Sequence, residues 1–171
     1  LITHAMQALD LVSPAVTLDA TYDVVCSTIR MSWLRDELDK LGAATEARSD
    51  AAKLESQYFS DFLKQPAEQR GGTVSTVANY LRPYTPPDIA QVFCSRTPNF
   101  SLKEVDQGRL ICLSVPQTFQ LERKYLNLLC KQLFFLHAFR RFDLDPEEMR
   151  RRNVIVLVLD EGQKTTLVSE D

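Results

Sequence analysis

The chain has 171 residues, 44% of them hydrophobic and 25% charged, with 20 Lys and Arg against 23 Asp and Glu and a formal net charge of −3. This length supports one domain with a proper core, or one and a half. The ordinary composition argues against a disordered chain, a collagen-like repeat or a disulfide scaffold. The charge argues against a strongly basic nucleic-acid binder, apart from a local basic patch.

The first part of the chain has the hydrophobic spacing of helices. Residues 1–18 are poorly patterned and are predicted to be a lead-in, with a core strand as one possibility. Residues 21–41 predict an amphipathic helix that Thr21 caps and Gly42 ends. A second helix is predicted over residues 43–64, with Leu54 in its apolar stripe.

Short helices are predicted next, separated by turn and capping residues. The pair Gly71-Gly72 indicates a turn before a helix over residues 73–81, although a helix beginning at Pro66 is an alternative. Thr85 and the prolines after it indicate the start of another short helix. Ser101-Leu102-Lys103-Glu104 has the spacing of a capping box, and Gly108 is the predicted stop. Residues 19–108 are therefore predicted to form one all-helical insertion domain.

The pattern changes after residue 108. Residues 109–115 and 153–159 are short apolar runs typical of buried strands, and residues 119–142 between them predict a long helix. A short helical turn is predicted to begin at Asp145. Strand, helix and strand make a βαβ unit. The predicted fold class is therefore α/β with a large all-helical insertion, in which residues 109–171 form a partial α/β core.

One motif in the sequence indicates a possible catalytic site. The apolar run 154–159 is followed by Asp160 and Glu161. In P-loop ATPases such a strand, the Walker B element, places the first acid to hold Mg²⁺ through water and the second to activate the attacking water. The alternative is a buried strand that ends in a polar turn. A phosphate loop, G-x-x-x-x-G-K followed by Ser or Thr, is missing, so this chain alone is expected neither to bind nor to hydrolyse ATP appreciably.

Together these features resemble the TraG/TraD-type coupling ATPases of conjugation and type IV secretion. The similar segments, in chain order, are residues 62–70, 75–83, 89–90, 100–102, 108–116 (GRLICLSVP), 122–125, 141–143 and 152–163. In that family this order matches an all-alpha domain inserted in a RecA-like motor, followed by the return to the sheet and Walker B. The resemblance therefore implies that residues 109–171 are a partial RecA-like P-loop NTPase core.

The resemblance also implies a function. The parent protein would be a membrane-anchored hexamer that couples ATP hydrolysis to delivery of relaxase-bound DNA or effector proteins into a secretion channel, with ATP and Mg²⁺ as cofactors. Asp160 would hold Mg²⁺ and Glu161 would be catalytic, while Gln163 matches a polar position that senses nucleotide or touches DNA. The Walker A loop and the membrane anchor are expected before Leu1, and the arginine finger beyond Asp171.

Two other interpretations stay open. The first is a non-enzymatic helical recognition module, in which residues 19–108 bind a relaxase, an effector protein or DNA. The second is an unrelated small α/β protein in which Asp160 and Glu161 only end a strand. The helical module is the alternative function, and it needs no catalytic residue.

The remaining polar and aromatic residues have ordinary interpretations. The arginines of residues 140–152 alternate with acids, so internal ion pairs are favoured over a DNA-binding patch. His137 is predicted to be a core residue, because no acid stands three or four positions away. Trp33 and Phe59 are predicted to pack in the core of the helical bundle.

The cysteines and the hydropathy indicate the compartment. Four cysteines stand far apart among apolar neighbours, without a C-x-x-C pair, which predicts buried reduced thiols and no zinc site. No run approaches the ~18–20 apolar residues that span a bilayer. We therefore expect no membrane contact from this segment and a cytoplasmic location.

Overall fold

Helices are the regular secondary structure throughout the part of the chain that the structure describes. This computed structural model describes residues 1–13, 16–44, 48–97 and 101–159. Within those ranges no β-strand is formed. The chain divides into two units, Leu1–Thr97 and Pro98–Asp171.

The first unit consists of helices. In chain order these are α1 (Ile2–Val12), α2 (Leu18–Cys26), α3 (Thr28–Ala43), α4 (Ser49–Lys64), α5 (Ala67–Leu81), a 3₁₀ turn (Arg82–Tyr84) and α6 (Pro87–Phe93). Helices α3 and α4 form the most extensive pair; α1 packs against both of them, α2 packs against α3, and α5 packs on α2. The unit is therefore a helical bundle built on an α-hairpin.

The core of the first unit is formed by the inward faces of the first four helices. Its members are Ala5, Ala8, Leu9, Val24, Val25, Met31, Leu34, Leu38, Ala52, Phe59 and Phe62. Each fully buried Leu or Phe side chain contributes about 1.5–3 kcal/mol through removal of apolar surface from water. Several members are alanines, whose small side chains let α1 and α4 approach closely.

Two side-chain hydrogen bonds join α3 to α4. The Ser49 hydroxyl donates to the Gly42 carbonyl oxygen over 2.9 Å, and the Ser56 hydroxyl donates to the Asp39 carboxylate. A Cβ added at Gly42 would lie 3.0 Å from the Lys53 side chain. Gly42 is therefore a close-contact position inside α3, and the prediction that it ends this helix is wrong.

Other predicted boundaries also differ. Most of the lead-in, Ile2–Val12, is helix α1, and the described residues of the lead-in form no strand. The single helix predicted over residues 21–41 is two helices, because the backbone is extended at Ser27, whose hydroxyl accepts a hydrogen bond from the Arg30 amide. The Gly71-Gly72 pair lies inside α5, so the helix that begins after Pro66 is the correct alternative and the turn is wrong.

The second unit is built around one long helix. Its described elements are a 3₁₀ helix (Leu102–Gln107), α7 (Gln120–Arg140), a 3₁₀ turn (Arg141–Asp143) and α8 (Pro146–Arg151). The predicted capping box is confirmed, since the Ser101 side chain and the Glu104 side chain each accept a backbone amide at the helix start. Gly108 ends that helix with φ +79°, which confirms the predicted stop.

The predicted βαβ unit is wrong. Residues 109–115 and 153–159 belong to no strand, although the second run keeps a strand-like alternation in exposure. A strand needs a neighbour to pair its backbone N–H and C=O groups, and apolar spacing within a run does not supply one. The described residues therefore contain no RecA-like sheet, and their fold class is all-helical instead of α/β.

Alanine substitutions at Gly108 and at Gly72 should change the stability of the protein in opposite directions. Gly108→Ala should destabilise the protein by about 1 kcal/mol, because its positive φ is unfavourable for a side chain. Gly72→Ala should stabilise it by about 0.5–1 kcal/mol, because Gly72 lies within α5 and a Cβ there meets nothing within 4 Å. Urea unfolding followed by circular dichroism measures both changes, and equal signs would contradict the two assignments.

Candidate functional site

The sequence-predicted catalytic residues are Asp160, Glu161 and Gln163, and they lie outside the described residues. The apolar run before them is described up to Leu159, and its side chains at Val154, Val156 and Val158 are exposed. The roles assigned to the three residues in Mg²⁺ binding and catalysis therefore stay predictions.

The described residues contain neither a metal-ligand cluster nor a membrane-spanning helix. No group of three or more His, Cys, Asp and Glu side chains is arranged to hold a metal ion among residues 1–13, 16–44, 48–97 and 101–159. In those ranges no helix is both long enough and apolar enough to cross a bilayer.

An open groove lies between α1 and α4 in the first unit. The two helices run antiparallel, since His4 near the start of α1 contacts Glu55 of α4 and Asp10 near its end contacts Arg48 before α4. The groove encloses about 340 Å³ and is lined by Gln7, Asp10, Leu11, Ala51, Leu54 and Glu55. Both helices contribute residues spaced three and four apart, so the groove follows their common direction.

Half of the residues that line this groove are aliphatic, and one of them is largely exposed. Leu11, Ala51 and Leu54 are the aliphatic lining residues, and Leu54 exposes 73% of its surface. The sequence assigned Leu54 to the apolar stripe of its helix. The structure turns Phe59 inward and Leu54 outward on the same helix, which spacing alone did not separate.

The rim of the groove carries two carboxylates. Asp10 is exposed, whereas Glu55 is largely covered and lies 3.0 Å from the Nδ1 atom of His4. The His4 ring stacks on Tyr58 with centroids 3.6 Å apart, which holds the imidazole beside Glu55. Burial raises the pKa of the Tyr58 hydroxyl, so this group carries no charge at neutral pH.

A charge cluster in the second unit surrounds Asp106. Its carboxylate lies 3.2 Å from an Arg141 nitrogen, 3.0 Å from His137 Nε2 and 3.7 Å from an Arg152 nitrogen. The Asp106 and Arg141 side chains are each only 11% exposed. The His137 contact is not aligned as a hydrogen bond.

Hydrogen bonds to the backbone extend this cluster. Arg141 donates to the Asn153 carbonyl oxygen over 2.6 Å, and the Asn153 side-chain amide donates to the Asp106 carbonyl oxygen over 2.9 Å. The cluster thus ties the 3₁₀ helix, the end of α7 and the start of the 153–159 run together. We interpret the cluster as structural, because its largely covered carboxylate is already paired with Arg141 and Arg152.

Sequence reasoning anticipated only part of the cluster. The prediction of ion pairs among the arginines is confirmed for Arg150 with Glu147 and for Arg152 with Glu148. The acid that faces His137 is Asp106, which stands 31 positions earlier. A search at helical spacing misses such a pair, since the fold and not the helix brings the two residues together.

The burial of the aromatic and cysteine side chains differs in part from the prediction. Phe59 is a core residue as predicted, but Trp33 is 49% exposed on α3. Cys94 is buried, whereas Cys26 and Cys112 are exposed, so the prediction of buried thiols holds only in part. Burial raises the pKa of the Cys94 thiol, which therefore keeps its proton at neutral pH.

Comparison of the chain with protein-family models, curated proteins and solved structures gave no significant match. The relation to the coupling ATPases therefore stays a prediction from the sequence.

Proposed function

We propose that the chain is a non-enzymatic helical recognition module that binds a helical segment of a protein partner in the groove between α1 and α4. The observation that supports this function is the groove itself, with its three aliphatic lining residues and its two carboxylates. A furrow between two packed helices accepts the ridge of side chains on a third helix.

The chemistry of the lining defines the partner. Exposed Leu54 and its aliphatic neighbours match one or two aliphatic or aromatic anchors, while Asp10 and Glu55 match Lys or Arg beside those anchors. The proposed ligand is therefore an amphipathic helix with a basic edge. Because acids at the rim repel phosphates, the groove favours a protein segment over DNA.

The resemblance noted in the sequence supplies a biological setting for this proposal. A relaxase or an effector protein would carry the recognised helix, and the encounter would take place in the cytoplasm. Both the cargo class and the compartment are part of the proposal, which requires only that the partner present a helix with the stated apolar and basic residues.

Titration with a designed peptide tests the proposed function. The probe is a helical peptide of about 14 residues with Leu at three- and four-residue steps and Lys beside them, compared with a scrambled peptide of equal composition. We expect saturable binding of the helical peptide by isothermal titration calorimetry. Leu54→Glu should weaken it at least about tenfold, because a carboxylate replaces the central apolar contact.

Val92→Glu is the matched control, since Val92 is similarly exposed on α6 and does not line the groove. It should leave peptide affinity unchanged. Equal binding of the scrambled peptide, or unchanged affinity in Leu54→Glu, would reject the groove as the binding site. If the chain bound single-stranded DNA and did not bind the helical peptide, its ligand would be a nucleic acid instead.

We propose a second candidate function, the ATPase role that the resemblance implies. The specific observation in its favour is the alternating exposure of residues 154–158, which is typical of a strand and leads directly to Asp160 and Glu161. In this proposal Asp160 holds Mg²⁺ through water, Glu161 activates the water that attacks the nucleotide, and Gln163 senses nucleotide.

The coding sequence ahead of Leu1 tests this second candidate. A phosphate loop there, G-x-x-x-x-G-K followed by Ser or Thr, is expected; its absence rejects the ATPase role. In a full protein that carries the loop, Glu161→Gln should abolish steady ATP turnover while leaving nucleotide binding intact. Ordinary turnover in that variant would remove the catalytic role from Glu161.

A further inference from the structure

The two carboxylates that line the groove between α1 and α4 have no Lys or Arg partner among the described residues. Arg48 donates to the Asp10 carbonyl oxygen over 3.5 Å and forms no ion pair with the Asp10 carboxylate. Four neighbouring acids on α3 and α4 are each paired with a Lys or Arg of their own helix: Asp36, Glu37, Asp50 and Asp61. Asp10 and Glu55 therefore give the groove two negative charges that the fold leaves to a bound cation.

Glu55 is ordered before any ligand binds. Its side chain is 12% exposed, and its Oε2 atom lies 3.0 Å from the Nδ1 atom of His4. The His4 ring in turn stacks on Tyr58 with 16° between the ring planes. An ammonium or guanidinium group that reaches this carboxylate gains a charge-assisted hydrogen bond, and the acid loses little conformational entropy because it is already held.

The two carboxylates lie about two helical turns apart along the groove. His4 meets Glu55 at one end, and Asp10 meets Arg48 at the other. Six positions separate the two ends on α1 and seven separate them on α4, which at 1.5 Å per residue gives about 9 and about 10.5 Å. A helical ligand rises about 10.5 Å between residues i and i+7, which share one face. The spacing of the two acids therefore matches side chains seven positions apart on a bound helix.

We propose that the groove selects a helix with two basic residues, Lys or Arg, at positions i and i+7, one for Glu55 and one for Asp10. This inference rests on the proposed function and defines its partner more narrowly. Ala51 lines the groove between the two ends, and its small side chain leaves room for an apolar residue of the ligand at i+3 or i+4. Glu55 contributes more than Asp10, because Glu55 is largely covered and Asp10 is exposed to solvent.

Two peptides that differ only in the position of one Lys test the inference on the full chain. The first is a helical peptide of about 14 residues with Lys at i and i+7 and Leu at i+3 and i+4. The second exchanges the Lys at i+7 with a Gln at i+5, which turns that Lys away from the groove and keeps the composition and the Leu pattern. Isothermal titration calorimetry should show the first peptide binding about threefold more tightly, the effect of one exposed charge pair.

Removal of each carboxylate identifies the acid that each Lys meets. Glu55→Gln should weaken binding of the first peptide about tenfold, and Asp10→Asn should weaken it about threefold. Asp10→Asn should not weaken the second peptide, whose displaced Lys does not reach Asp10. Asp61→Asn is the matched control, because Asp61 lies on α4, is 61% exposed and does not line the groove. It should leave both affinities unchanged, and circular dichroism checks that each variant is folded.

The outcomes separate this inference from the proposed function. A preference for the first peptide that disappears in Asp10→Asn supports the inference. If both peptides bind equally and Leu54→Glu still weakens them, the groove binds helices without selecting the two basic residues, and this inference alone is overturned. If neither peptide binds, the proposed function fails and the inference fails with it. Equal weakening by Asp61→Asn and Glu55→Gln also overturns the inference, because the effect would then come from net charge and not from a contact in the groove.

Discussion

Phe59→Ala should lower the free energy of unfolding of the first unit by about 3–5 kcal/mol, the cost of removing a phenyl ring from a core that cannot fully collapse around the cavity. Phe59 is completely buried in α4 and belongs to the cluster that joins the first four helices. Its ring also packs edge-to-face on Tyr58 with centroids 5.6 Å apart. Because small domains are stable by about 5–15 kcal/mol, this loss should leave the unit close to unfolding.

Urea unfolding followed by circular dichroism, with Trp33 fluorescence as a second probe in the same unit, measures the loss. Leu54→Ala is the matched control on the same helix. Leu54 is largely exposed, so its truncation should change the free energy of unfolding only slightly. A similar loss in both variants would mean that the burial assigned to α4 is wrong. The difference between the two variants also shows, before any binding experiment, that Leu54 in the groove is not part of the core.

Asp106→Asn should destabilise the second unit, with a loss of about 2–3 kcal/mol in the free energy of unfolding. The substitution removes the carboxylate that Arg141 and His137 face and leaves a largely buried guanidinium without its charge partner. The loss is smaller than for a fully buried pair because Arg152, on the edge of the cluster, is partly exposed. Hydrogen exchange should become faster in residues 102–107 and at the end of α7, the segments that the cluster joins.

Glu147→Gln is the matched control for charge removal. Glu147 pairs with Arg150 at the surface, where both side chains are more than two-thirds exposed, so the loss of this pair should leave stability and exchange unchanged within error. Unchanged exchange in Asp106→Asn would contradict the fastening role of the cluster. If hydrogen exchange became faster along the whole chain in both variants, the cause would be the change in net charge and not the loss of a specific contact.

Local sequence signals predicted several elements correctly. Helix α4 ends at Lys64, as its apolar spacing and the proline that follows indicate, and α8 begins at the Asp145 cap. The Ser101–Glu104 capping box and the Gly108 stop are also as predicted. Each of these features depends on hydrogen bonds and φ angles within about four residues, so the required information lies within the segment itself.

Strand prediction failed for the opposite reason. Residues 153–159 have the apolar content of a strand, yet pairing requires a partner at long range, and none is present among the described residues. The α/β class and its RecA-like core were inferred from such apolar runs and from a resemblance. In the described structure the same residues are unpaired, with Val154, Val156 and Val158 exposed.

By itself, the sequence determined where several of the helices form, how some of them begin and end, and that the chain carries neither strong net charge nor a phosphate loop. Only the tertiary structure decided which apolar residues are core and which are surface. It put Phe59 inside and Leu54 in an open groove, and it brought Asp106 to His137 across 31 positions. The physical reason is that caps and helical periods act between neighbours in the chain, whereas burial and charge pairing depend on which helices meet.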